Sequence, residues 1–275
     1  MLALLALSLG AIGSPARAAD PGDIRILRLP GGLRFGLIGG RPARPAPTLF
    51  VLVHELERMR REPAYTEVSR RLLPQGFIGV ILDPPACGED RRPGEATDMS
   101  PWRLRLDRGE DFTGAFTEHA RAVLDYLIRE GYTDPNRVAA CGTSKGAYLA
   151  FHFAAADRRV RLVAGIAPLT DLMALDEFAG TPKAAEAEKL SLLSLVPDLA
   201  GRPVWVWVGN NDRRIDTDRA IAFTRALVRE SIRGKKSAAI VPVELSAAPS
   251  AGHGTFGEAH ARLAAWILAQ FGMPP

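Results

Sequence analysis

The sequence predicts an α/β protein with a mostly parallel central sheet of about eight strands and helices on both faces. Three observations predict it. Short apolar runs alternate with stretches of helical spacing along nearly the whole chain, the pattern of repeated strand–helix units. Several of those runs are apolar throughout, as strands buried on both faces are. The residues with chemistry to offer fall just after such runs, and open parallel sheets bind ligands beyond the carboxyl ends of their strands.

Each element follows from its residues. Residues 2–12 are apolar and precede Ala16-Arg17-Ala18, a small-residue cleavage pattern. Residues 1–18 are therefore expected to be an export signal, and 19–275 one catalytic domain. The segment lacks the Lys or Arg that usually opens such a signal, so a disordered apolar tail is the alternative. It is too short to span a bilayer, and no stable membrane span is expected. Residues 24–29 and 33–38 read as two strands joined by Pro30-Gly31-Gly32, a hairpin. Residues 41–47 are a Pro-rich loop. Residues 48–53 form a buried strand, 63–73 have helical spacing, and 77–82 form another buried strand ending at Asp83-Pro84-Pro85.

Residues 84–110 read as one long polar loop, and a loop of that length inside a domain is usually functional. Residues 111–129 are amphipathic, with Phe112, Phe116, Val123, Leu124 and Leu127 on one side. A turn at 131–136 leads into a strand at 137–141. Further strands are expected at 161–167, 204–208 and 239–245. Helices are expected within 171–200 and at 217–229 and 255–271.

The 275 residues suffice for one large core, and 47% hydrophobic with 24% charged residues is ordinary globular composition. The net charge of +4 is scattered among nearly as many acids. No basic run is interleaved with aromatics, so no nucleic-acid partner is expected. The two cysteines, Cys87 and Cys141, are either buried thiols or, in an oxidising compartment, a disulfide. His54, His119, His152, His253 and His260 show no metal-ligand spacing, so neither metal nor cofactor is expected.

Gly142-Thr143-Ser144-Lys145-Gly146 carries the chemistry. A G-x-S-x-G between an apolar strand and a helix is a nucleophile elbow, with the serine at a strained turn. A serine hydroxyl needs a base, and the base needs an orienting acid. Asp212 follows the 204–208 strand and His253 follows the last strand, in the required order acid, then histidine. Ser144, Asp212 and His253 are thus the catalytic candidates. Asp171 is the rival acid, although its place suits a helix cap. Asp216 and Asp218 suit caps too, and His54 suits the orientation of a loop. The oxyanion needs two donors. The Lys145 backbone N–H is one, and the other should come from His54-Glu55-Leu56-Glu57. Trp102 and Met99 are candidate pocket residues, with the leucines of 190–196 divided between pocket and core.

The elbow, the Asp212 and His253 loops and the lead-in Asp134-Pro135-Asn136-Arg137-Val138 resemble the α/β-hydrolase superfamily over about residues 48–270. The resemblance is closest to the dienelactone hydrolase and prolyl-oligopeptidase-like branches. It implies an α/β-hydrolase fold, a Glu55 that touches Ser144, and a Leu56 that supplies the second oxyanion donor. The sequence departs from those patterns. Ser144 stands where dienelactone hydrolases carry cysteine. Gly146-Ala147 stands where peptidase relatives commonly carry Gly-Gly. The propeller of full-length prolyl oligopeptidases has no counterpart here.

The expected function is a periplasmic or extracellular serine hydrolase that cleaves a small-molecule ester or acyl substrate through an acyl-enzyme. A small peptidase or an acyltransferase on the same three residues is the alternative. A peptidase of that kind needs acids for a charged amino terminus, and Glu55 and Glu57 leave that open. A non-catalytic ligand-binding relative is the third reading. Oligomeric state and acyl preference are not written in the sequence.

Overall fold

The computed structural model describes residues 22–233, 241–254 and 257–274; the expected export signal lies outside them. Eight strands form one sheet: β1 (Ile24–Arg28), β2 (Arg34–Ile38), β3 (Ala46–Leu52), β4 (Ile78–Ile81), β5 (Thr133–Thr143), β6 (Val160–Ile166), β7 (Val204–Gly209) and β8 (Val243–Ala248). Their spatial order is β1-β2-β4-β3-β5-β6-β7-β8. β1 and β2 form the expected antiparallel hairpin, β2 runs antiparallel to β4, and every later pair is parallel. The helices are α1 (Leu56–Arg61), α2 (Glu67–Leu72), α3 (Ser100–Asp107), α4 (Phe112–Arg129), α5 (Lys145–Ala156), α6 (Ala184–Lys189), α7 (Val196–Leu199), α8 (Thr217–Arg233) and α9 (Gly257–Gln270).

The apolar runs make two cores because strand side chains alternate in direction. In β3, Phe50 and Leu52 enter one core while Leu49 and Val51 enter the other. In β7, Val204, Val206 and Val208 face α5 and α8, and Trp205 and Trp207 face α9. Because β3 to β8 run parallel, their carboxyl ends and the loops that follow them share one edge of the sheet.

Several expectations change, among them the last strand, which lies at Val243–Ala248 and not at 239–245. The 131–136 turn is shorter, because β5 already begins at Thr133. The Thr133 and Thr48 hydroxyls lie 2.8 Å apart, and a register shift between Ala46 and Thr48 absorbs the irregular start. Residues 84–110 are not one loop: α3 lies inside them. Arg105 on α3 is buried and binds both Asp90 and Glu95, which pins the segment. Residues 171–200 hold only short helical turns. Cys87 and Cys141 are both buried and free, so the disulfide is not formed.

His152 ties α5 to the segment after α6. Its Nε2 lies 3.0 Å from the Leu190 carbonyl, and a carbonyl can only accept, so Nε2 donates. Burial lowers the His152 pKa to about 4, from an ordinary value of 6.5. The unfolded chain therefore binds the proton first as pH falls. Stability resting on neutral His152 is full above pH 6.5 and is lost as pH drops from there toward 4. The loss should approach about 3 kcal/mol. Urea unfolding at intervals across that range should give a shallower decline for His152→Gln than for the wild type. Parallel declines would remove His152 from the account.

Candidate active site

Ser144 stands between β5 and α5 with φ +54° and ψ −119°, a conformation costly for any residue with a side chain. Its N–H donates to the Ile166 carbonyl at 3.0 Å, and its own carbonyl accepts from Leu169 N–H at 3.2 Å. Neighbouring β6 thus holds the strained turn. Both flanking glycines are required by contact. A Cβ on Gly142 would stand 2.3 Å from the Gly146 carbonyl carbon, and one on Gly146 would stand 1.8 Å from the Leu52 carbonyl oxygen.

The structure brings Ser144, His253 and Asp212 together. His253 Nε2 lies 3.0 Å from Ser144 Oγ, and His253 Nδ1 lies 2.8 Å from Asp212 Oδ2. An ionised carboxylate only accepts hydrogen bonds, so Nδ1 carries the proton and Nε2 accepts from the hydroxyl. Asp212 is buried, and its other oxygen accepts from the backbone N–H of Arg214 at 3.0 Å and of Ile215 at 3.3 Å. Those bonds leave Oδ2 for the imidazole. Asp171 turns elsewhere: it accepts from Met173 N–H at 2.8 Å, as a cap does, and pairs with Arg219. Asp216 likewise accepts from the first turn of α8.

The loop after β3 departs from the expected arrangement. Leu56 opens α1, and its N–H donates to Asp83 Oδ1 at 2.9 Å. Asp83 is held in turn by Arg34, 2.6 Å away. The Leu56 donor is therefore already committed and does not serve an oxyanion in this arrangement. Glu55 pairs with Arg91 at 3.2 Å and lines a neighbouring cavity, not the cleft of Ser144. The expected Glu55 contact with the nucleophile is not made. Lys145 is the first residue of α5, so its N–H has no intrahelical acceptor.

A cleft of about 290 Å³ opens over Ser144. Met99 lines it, as expected, with Leu169 and Leu175 as apolar wall. Trp102 does not line it. It is 1% exposed, donates from Nε1 to the Pro85 carbonyl at 2.8 Å, and packs on Phe112 and Tyr148. His54, Tyr65, Asp98 and Arg214 also line the cleft. Tyr65 and Asp98 carried no sequence signal, since neither follows a strand. Burial and the cations of Lys145 and Arg58 lower the His54 pKa to about 4, so its ring is neutral at pH 7. Arg58 donates to its Nε2 at 2.6 Å. Arg214 is answered by both oxygens of Glu177, at 2.7 and 2.5 Å.

A serine elbow with a histidine and a buried acid, at the carboxyl edge of this sheet, belongs to the serine hydrolases of the α/β-hydrolase superfamily. Within them the chain belongs to the prolyl oligopeptidase family, whose model matches residues 115–274. No curated protein matches the chain. Solved structures agree on the fold. TT1662 from Thermus thermophilus is 19% identical with a TM-score of 0.68, over 91% of this chain and 99% of that one. A cold-adapted esterase from an Arctic intertidal metagenomic library is 17% identical with a TM-score of 0.61, over 90% and 92%. The Porphyromonas gingivalis dipeptidyl peptidase 4 is 17% identical with a TM-score of 0.62; 90% of this chain matches 35% of that protein.

Proposed function

We propose that the protein is an exported carboxylic-ester hydrolase that works through an acyl-enzyme on Ser144. The observation that carries this reading is the hydrogen-bonded line from Ser144 Oγ through the His253 imidazole to Asp212. In it, His253 Nε2 takes the hydroxyl proton as Ser144 attacks the ester carbonyl. Asp212 holds the imidazole tautomer and stabilises the imidazolium. The Lys145 N–H faces the developing oxyanion, where a fixed backbone donor is worth most. His253 then returns the proton to the leaving alcohol. Water, activated by the same imidazole, cleaves the acyl-enzyme and releases the acid. Export rests on residues 1–18 alone.

Preference for esters over peptides is supported by the acids near the cleft. Recognition of a free amino terminus needs uncommitted carboxylates. Glu55 and Glu57, the pair the sequence offers for an amino terminus, are neutralised by Arg91 and Arg34 and lie outside the cleft, which leaves Asp98 as its one acid among the described residues. A fluorophosphonate probe should label the wild type and leave Ser144→Ala unlabelled. Aryl esters of graded acyl length should turn over faster than aminoacyl anilides. Equal labelling of Ser144→Ala would remove the nucleophile, and faster anilide cleavage would turn the reading to a peptidase.

A further inference from the structure

The elbow needs only the backbone of Lys145, yet Lys145 is also a lining residue of the cleft, and its charge acts on the His54 ring, another part of that lining. Among the described residues the Lys145 ammonium makes one hydrogen bond, to Cys87 Sγ at 3.6 Å, and a thiol is a weak acceptor. Among the described residues no carboxylate forms an ion pair with it. The nearby acids are engaged by other cations: Glu55 by Arg91 at 3.2 Å, Glu62 by Arg58 at 2.9 Å, and Glu57 by Arg34 at 2.7 Å. His54, which feels both Lys145 and Arg58, is neutral and offers no charge.

The opposite wall is different. Arg214 is matched by Glu177, and Asp98 and Asp176 add negative charge around it. Asp98 itself is held by the N–H and hydroxyl of Ser100. Among the described residues, two charges of the cleft therefore lack an ion-pair partner: the Asp98 carboxylate on the Arg214 wall, which neutral Ser100 groups hold, and the Lys145 ammonium, the cleft's one unpaired cation. A half-buried ammonium without a partner gains most from a carboxylate, which binds it by a charge-assisted hydrogen bond.

The sheet order says which part of the substrate carries that carboxylate. β3 and β4, whose loops bring His54 and Cys87 to Lys145, lie on one side of β5; β8, which brings His253, lies on the other. His253 protonates the leaving group, so that group departs on the β8 side. The acyl chain is left on the side of Lys145. We infer that the substrate is a hemiester of a short dicarboxylic acid, with the free carboxylate of its acyl chain bound by the Lys145 ammonium. This rests on the acyl-enzyme reading above. Hydrolysis of such an ester consumes one water and yields the alcohol and the free dicarboxylate.

The test compares two esters of equal chain length, mono-p-nitrophenyl glutarate and p-nitrophenyl pentanoate, with wild type, Lys145→Met and Lys145→Arg. The readout is the ratio of their kcat/KM values, which cancels any loss common to both esters. The wild type should favour the glutarate by about tenfold or more, the scale of a charge-assisted hydrogen bond. The ratio should fall toward one in Lys145→Met, stay high in Lys145→Arg, and shrink in the wild type as salt is raised. A wild-type ratio of one or below overturns the inference. So does a ratio unchanged in Lys145→Met, because the ammonium would then act on both esters alike. Failure of the acyl-enzyme reading is a separate result: Ser144→Ala would hydrolyse both esters at the wild-type rate.

Discussion

Asp212→Asn should lower kcat by about 10,000-fold while leaving the protein folded. The substitution is isosteric, and the amide oxygen can still accept the Arg214 and Ile215 N–H groups that now meet Oδ1. The amide nitrogen then faces His253 Nδ1, and it can only donate. Nδ1 must accept, so the ring proton moves to Nε2, 3.0 Å from Ser144 Oγ. The base is lost although every atom stays in place. Asp171→Asn is the matched control. Asparagine caps a helical turn about as well as aspartate, and Asp171 is joined to Met173 and Arg219, not to His253. Its turnover should stay near that of the wild type. Pre-steady-state acylation with an aryl ester measures both, and a larger loss at Asp171 would reverse the assignment of the acid.

Gly146→Ala should have the largest effect on stability. Its Cβ would stand 1.8 Å from the Leu52 oxygen, 2.4 Å from the Leu52 carbonyl carbon and 2.9 Å from Val53 Cα. All three atoms are backbone at the end of β3, a strand paired on both sides. Neither β3 nor α5 can retreat without opening the core between them. The expected cost exceeds about 4 kcal/mol, in the range that only overpacking, buried charge or strain reaches. Soluble yield and urea midpoint should collapse together. Gly31→Ala, where a Cβ meets nothing within 4 Å, should stay within about 0.5 kcal/mol of the wild type. A Gly146→Ala protein of ordinary stability would mean that β3 and α5 are more loosely packed than their contacts indicate.

The parts of this site that depend on local order were legible in the sequence. β3, β4 and β7 are buried on both faces, so their residues read as apolar runs with clear ends. Ser144 and Asp212 could be placed because each follows such a run; His253 follows β8, which is half-buried or exposed along its length and lies at Val243–Ala248, later than the expected 239–245. What depends on packing across the chain was not legible. Leu56 loses its donor role to Asp83, 27 residues away in sequence. The two meet only because β4 pairs with β3. Glu55 turns to Arg91, which belongs to the segment that read as one long polar loop. Trp102 enters the core on α3, a helix whose turns Arg105 holds through two ion pairs. Apolar spacing cannot announce a helix held that way. The three-residue relay was thus easier to read than the charge surrounding it.

The strand order has a consequence for how the chain is made. Translation delivers β1 to β4 first, and these can pair among themselves. β3 then waits with one apolar edge open, because its other neighbour, β5, appears only after α3 and α4. An unpaired central edge is a template for pairing with another chain. The nascent protein therefore passes through a stage in which half the sheet exists and the nucleophile strand does not. During that interval it should depend on holding chaperones more than the finished molecule does.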